Sequence, residues 1–193
     1  MQRMCVFCGS LTGKHACYRQ AASALGALLV QRGLGLVYGG SSVGLMGVVA
    51  DAVLRRGGEV IGVIPEAMVE RELAHTAVTR LHVEPSMHAR KARMADLADA
   101  FIAMPGGYGT LEELFEIITW AQLGIHQKPI GLLNVAGYFD ALTVLIEHAI
   151  DEGFIRPEHR QLLVVADHPE ALLDALTHHT MPPVRPWPRP ARP

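Results

Sequence analysis

Short, nearly continuous apolar runs alternate along this chain with longer stretches in which apolar residues recur at helical spacing. Met4–Phe7, Leu34–Tyr38, Glu59–Ile64, Val78–Val83, Ala100–Met104, Ile130–Leu133 and Leu162–Val165 predict strands. Helices are predicted over Tyr18–Arg32, from the loop at 39–42 to Arg56, and over Met87–Leu97, Thr110–Leu123, Tyr138–Glu152 and Pro169–His178. Ala22, Leu25, Leu28 and Leu29 form the apolar stripe of the first. Ala67–His75 has no clear period and reads either as a short helix or as a flap over a site. Strands apolar on both faces, alternating with helices, describe a parallel sheet covered on both sides. The expected fold is α/β: a single doubly wound, Rossmann-like domain over residues 1–180, with a parallel sheet and helices on both faces. Residues 181–193 are mostly proline and arginine and are expected to be a flexible tail.

The chain has 193 residues, enough for one domain with a substantial core. Its 17 basic and 19 acidic residues leave a net charge of -2, without the basic footprint of a nucleic-acid binder. Any phosphate it holds is therefore expected on a small molecule. No apolar segment has the length of a signal peptide or a membrane span, so a cytoplasmic protein without a membrane partner is expected. Three cysteines suit that compartment. Cys5 and Cys8 spell C-x-x-C, but no second pair completes a zinc site, and they read as small buried hydrophobes. The ten histidines show no ligand spacing. No metal and no cofactor are expected.

Three glycine-rich turns follow strands: Gly9–Ser10, Gly39–Gly40 through Gly44, and Gly106–Gly107–Tyr108–Gly109. Ligands of open α/β sheets bind at the carboxyl ends of the strands, so three such turns point to one phosphate-bearing ligand. Glycine is also ordinary turn chemistry, which accounts for one such loop better than for three. Gly9–Lys14 followed by His15 is one residue short of a Walker A loop and lacks its Ser or Thr. No turn spells G-x-G-x-x-G, and no serine sits in a G-x-S-x-G elbow.

The third turn leads into a helix predicted to carry an acidic first turn, Glu112–Glu113. A helix N-terminus offers backbone N–H groups to an anion, beside one or two carboxylates. Thr110-x-x-Glu113 is also a capping box, and spacing alone favours that account of Glu113. A first-turn glutamate is expected to be ionised, which suits a base, nucleophile or cation stabiliser. Arg90, Lys91 and Arg93 share one short helix. Spacing supports equally a phosphate or carboxylate clamp at Arg90 and a solvated charged face.

Met87-x-x-Arg90–Lys91 together with Pro105–Gly106–Gly107-x-Gly109–Thr110-x-x-Glu113 resembles the paired signature of the LONELY GUY family, the cytokinin riboside 5′-monophosphate phosphoribohydrolases. The likeness runs from Cys5–Ser10 through Val37–Gly40, Gly44–Gly47 and Val60–Pro65 to Thr119–Gly124 and Lys128–Asn134. The resemblance implies hydrolysis of the N-glycosidic bond of adenosine-type 5′-monophosphates, N6-prenylated AMP or AMP itself, to free base and ribose 5-phosphate. It implies Arg90 and Glu113 as the catalytic pair. Substrate contacts are implied at Glu72, Lys91, Thr119 and the loop Gly106, Gly107, Tyr108, Gly109, Thr110, Leu111 and Glu112, joined by Gly9, Ser10, Gly39 and Gly40 of the other two turns. It also implies a homodimer with the active site near the subunit boundary. The chain departs from the family in the first turn, Gly9–Ser10–Leu11–Thr12, where serines are usual, and at Ser41, where a third glycine is common. A nucleotide-binding regulator on the same fold is the alternative, since sites rather than folds carry function. An old lysine-decarboxylase label would need a pyridoxal phosphate lysine from Lys14, Lys91 or Lys128.

Overall fold

The computed structural model describes residues 1–69 and 73–183. Seven strands form one sheet: β1 (Arg3–Phe7), β2 (Gly35–Tyr38), β3 (Val60–Pro65), β4 (Arg80–Glu84), β5 (Ala100–Ala103), β6 (Ile130–Leu133) and β7 (Leu163–Ala166). The helices between and after them are α1 (Ala16–Gln31), α2 (Gly44–Leu54), α3 (Glu66–Val69), α4 (Met87–Leu97), α5 (Tyr108–Gln122), α6 (Asp140–Asp151) and α7 (Pro169–His178). All neighbouring strands are parallel, in the order β4-β3-β2-β1-β5-β6-β7. This is the expected doubly wound α/β fold.

Successive side chains of a strand point to opposite faces, and the inner strands sort accordingly. Met4, Val6, Leu36, Tyr38, Ala100 and Ile102 pack with α1, α2 and α7. Cys5, Phe7, Val37, Phe101 and Ala103 pack with α4 and α5 on the other side. Both core cysteines are buried and reduced, and burial pushes their thiols up.

Strand order reverses between β1 and β5, so the chain diverges there and leaves a crevice beyond the strand ends. The pairing runs on into the loops: Met104 N–H donates to Phe7 O at 2.8 Å, and Gly9 N–H to Pro105 O at 3.1 Å. Leu45 N–H donates to Gly9 O at 2.9 Å. Gly44, at φ +63°, lies so close to Ser10 that a Cβ would stand 2.2 Å from its carbonyl carbon. The first glycine-rich turn thus touches both of the others.

Several boundaries differ from expectation. Helix α5 starts at Tyr108 rather than Thr110, because Gly107 takes the extended N-cap conformation. Helix α6 starts at Asp140, after a 3-10 turn at Val135–Gly137 in which Ala136 has φ 53°. Ala67–His75 contributes α3 and a single bridge from Ala74 to Ser41, with Glu70, Arg71 and Glu72 outside the described residues. Of the expected tail, Met181 packs against the α4–α5 core, and residues 184–193 lie outside the described residues.

Candidate active site

A cavity of about 390 Å³ opens at the carboxyl ends of β1, β2, β3 and β5. Cys8 and Ser10 reach it from the first turn, Gly39 and Ser41 from the second, and Gly107, Tyr108, Gly109 and Thr110 from the third. Arg90 of α4 and Glu113 of α5 face it together.

Helix α4 is capped by Ser86, whose Oγ accepts Ala89 N–H at 3.1 Å, and this start puts Arg90 in its first turns. The guanidinium is then held from two sides. Arg90 Nε donates to Val63 O at 3.1 Å, and Nη1 reaches Glu113 Oε1 at 2.8 Å. Its other edge lies over the end of β2, where a Cβ on Gly39 would stand 2.3 Å from Nη2. Any side chain at position 39 would displace the arginine. With Arg90 8% and Glu113 7% exposed, this is a desolvated ion pair rather than a surface one.

Glu113 departs from the sequence expectation in position and in charge balance. Because α5 starts at Tyr108, its first turn carries no carboxylate, Gly107 is the N-cap, and Thr110 is a buried helical residue. The capping box therefore does not form, and Glu113 pairs with Arg90 one turn further on. Burial raises its pKa above the ordinary carboxylate value, against the opposing charge and hydrogen bond of Arg90. The expectation that helix-terminal N–H groups would favour its anion fails for the same reason. The N-terminus of α5, free of its own carboxylate, opens into the cavity at Gly107–Thr110.

The remaining predicted residues divide. Ser10, Gly39, Gly107, Tyr108, Gly109 and Thr110 line the cavity. Gly9 and Gly106 stand behind it and line a smaller cleft with Tyr18 and Tyr138. Gly40 serves through its carbonyl, which accepts His75 N–H at 2.9 Å. Leu111 packs against the core. Lys91 and Glu112 face each other: the Lys91 ammonium hydrogen-bonds Glu112 Oε1, and reaches Glu116 Oε1 at 3.0 Å. Burial alone would lower the Lys91 pKa, but the two carboxylates outweigh it and hold it above the ordinary value. Thr119, further along α5, donates its hydroxyl to Phe115 O at 2.7 Å, away from the cavity. Glu72 lies outside the described residues.

Sequence reasoning missed the apolar wall. Val43, Met46, Ile64, Pro65, Met68, Leu73 and Met87 also line the cavity. They come from separate segments and carry no joint spacing signal; adjacency to strand ends marks only Ile64 and Pro65.

A mostly apolar cavity with one buried charge pair and a helix N-terminus belongs to a nucleotide-handling α/β protein. Residues 46–176 match a family profile described as possible lysine decarboxylase. The chain is 54% identical over 182 residues to a probable cytokinin riboside 5′-monophosphate phosphoribohydrolase of Oryza sativa subsp. japonica, covering 94% of this chain and 74% of that protein. It is 53% identical over 178 residues to a cytokinin riboside 5′-monophosphate phosphoribohydrolase of Arabidopsis thaliana, covering 92% and 82%. Among solved structures, the molybdenum cofactor binding protein of Rippkaea orientalis shares the fold at a TM-score of 0.70 and 22% identity, over 91% of this chain and 95% of that one. The molybdenum cofactor carrier protein of Chlamydomonas reinhardtii does so at 0.67 and 21%, over 91% and 96%. The chain belongs to the LONELY GUY family. Among the described residues, no helix is long and apolar enough to cross a membrane, and no cluster of His, Cys, Asp and Glu is arranged to hold a metal ion.

Proposed function

We propose that this protein is a hydrolase that cleaves the N-glycosidic bond of adenosine-type 5′-monophosphates, releasing the free base and ribose 5-phosphate. The observation that carries this reading is the buried Arg90–Glu113 pair, 2.8 Å apart, in a cavity that opens onto the α5 N-terminus. Backbone N–H groups at Gly107–Thr110 suit the 5′-phosphate. The apolar wall of Val43, Met46, Met68 and Leu73 suits the base. Departure of the base leaves oxocarbenium character at C1′. The Glu113 carboxylate stabilises that charge and draws a proton from the water that adds to C1′, a transfer its raised pKa favours. The departing base takes up one proton in exchange, so the base leaves neutral and Glu113 returns to its carboxylate. Arg90 aims Glu113 and offsets its charge.

None of the three lysines lines the cavity, which tells against a Schiff-base reaction there. Lys91 is bound to Glu112 and Glu116, and Lys128 Nζ donates to Ala95 O at 2.7 Å.

A homodimer is part of the proposal. Among the described residues, α1, α2 and α7 carry no exposed large hydrophobic side chain. The α4–α5–α6 layer and its loops expose Phe115, Leu123, Ile125, Val144, Leu145 and Phe154. A second copy of the chain covering that layer accounts for the asymmetry and places Thr119 at the subunit boundary. A cytoplasmic location accords with the three free thiols.

The test is product analysis after incubation with AMP and with N6-isopentenyl-AMP. Free base and ribose 5-phosphate in equal amounts are expected. Binding of either nucleotide without base release would replace this reading with a nucleotide-binding regulator.

A further inference from the structure

His75 lies in none of the motifs, yet it is buried beside the cavity and both of its ring nitrogens are engaged. Its Nδ1 accepts Ala77 N–H at 3.3 Å, which leaves the ring proton on Nε2 to be donated to Asp51 Oδ1 of α2 at 3.0 Å. Its own N–H donates to Gly40 O at 2.9 Å. Two residues earlier, Leu73 O accepts Ser42 N–H at 3.0 Å, and between them Ala74 bridges to Ser41. The short segment Leu73–His75 is therefore stitched along the second glycine-rich turn, and the His75 ring is its side-chain anchor to the body of the protein.

The stitch matters because of what it carries. Leu73 and Met68 belong to the cavity's apolar wall, and Ser41 lines the same cavity. A single bridge between two short segments is a weak constraint, since ordering a chain costs entropy at every residue and few bonds here repay it. The imidazole–carboxylate bond to α2 supplies the missing fixity. Asp51 also lies 3.8 Å from Arg55 Nη1 one turn along α2, an exposed pair that adds little to the His75 contact.

We infer that His75 is a positioning residue that, through Asp51, fixes the wall against which the base of the nucleotide packs, and so sets affinity and base selectivity without taking part in bond cleavage. This inference rests on the proposed phosphoribohydrolase function. It predicts a split between binding and chemistry, because Arg90 and Glu113 are held by α4, α5 and β3 and not by this segment.

The experiment compares wild type, His75→Ala, His75→Gln, Asp51→Ala and the double alanine variant, each assayed with AMP and N6-isopentenyl-AMP. In His75→Ala, KM is expected to rise ~10-fold and the preference between the two nucleotides to shrink, with kcat within about threefold. His75→Gln, whose amide nitrogen can still reach Asp51, is expected to recover most of the KM. The double variant is expected to be no worse than either single one, because both remove the same bond. Hydrogen exchange supplies a readout independent of turnover: the Ser42 and His75 amides are expected to exchange faster in both alanine variants. A fall in kcat at unchanged KM, or unchanged KM and unchanged exchange, overturns the assignment. If wild type releases no base, the proposed function has failed instead, and nucleotide Kd together with the exchange data then decides the role of His75. If His75→Ala does not fold, His75→Gln and Asp51→Ala carry the same comparison.

Discussion

Two cation–carboxylate clusters connect α4 to α5, their cations one residue apart on α4, and they have opposite surroundings. Arg90 and Glu113 face the cavity, and neither finds water in quantity. Lys91 meets Glu112 and Glu116 away from the cavity; it is 5% exposed, while its partners are 54% and 23% exposed. A step of one residue turns a helix by about 100°. That step separates a charge pair that faces the cavity from one that ties α4 to α5 away from it. Ion type follows the split. The planar guanidinium reaches a backbone carbonyl and a carboxylate at fixed angles, whereas the ammonium serves two carboxylates from a point.

The most direct way to break the comparison is Glu113→Gln. The amide keeps the volume and an acceptor for Arg90 but can neither take a proton nor offset a developing cation. Base release is expected to fall ~10²–10⁴-fold, with nucleotide binding retained. A loss below tenfold would leave Glu113 as a structural partner of Arg90. Arg90→Lys comes next. It keeps the charge but cannot hold Val63 O and Glu113 together, so a loss of ~10²-fold is expected in kcat, on the scale of a single misplaced electrostatic donor. Steady-state kinetics checks both.

The pH profile sharpens the contrast without mutation. Burial raises the Glu113 pKa, so acidification is expected to protonate it, and to cut the rate, at a pH above the usual carboxylate range. The stability linkage has the opposite sign. With a folded-state pKa above the unfolded value, Glu113 contributes stability that is complete below the unfolded pKa and lost as pH rises through the folded one. Activity on the acid side should therefore disappear before any unfolding traceable to this residue. Circular dichroism followed alongside the rate tests this, and coincident loss of structure and rate would refute it.

Lys91→Met is expected to do the reverse of Glu113→Gln. It leaves the half-buried Glu116, one of whose oxygens is already without a partner, lacking its cation. Stability should fall by ~1–3 kcal/mol, lowering Tm by ~2–4 °C for each kcal/mol in a chain of this size. The rate should stay within a few-fold. A rise in KM with an unchanged Tm would mean instead that Lys91 reaches the nucleotide.

This pair of contacts also shows what the sequence made legible. The sheet, its parallel order and the convergence of three turns followed from apolar runs and glycine placement, because those signals are local and repeat. Arg90 and Glu113 were legible only through their family resemblance; spacing alone favoured a cap for Glu113. Gly107, not Thr110, is the N-cap of α5, and that shift of the helix start leaves Glu113 beyond the first turn. Lys91 and Thr119 sit in segments that match the family but not on the cavity, since a matched segment does not say which side of a helix its residues occupy. Met68, Leu73 and His75 fall in the segment Ala67–His75, which the sequence marked as a short helix or a flap over a site. That they form one wall with Val43 and Met46 was illegible, because only tertiary contact joins them.

The smallest expected effect belongs to Glu112→Gln, and it tests whether the second contact is as separate from the chemistry as its geometry indicates. Glu112 precedes Glu113 in the chain, yet its side chain is the more solvated of the two that meet Lys91. Water screens an exposed pair, so removing this one charge should cost no more than ~1 kcal/mol. Glu116 stays in place to hold Lys91, so α4 and α5 should keep their spacing. The substitution also removes a negative charge that raises the Glu113 pKa. The acid limb of the rate profile should therefore move slightly toward lower pH, with kcat at its plateau unchanged. Plateau kcat falling tenfold or more would place Glu112 in the reaction itself, and the two contacts would then form one site.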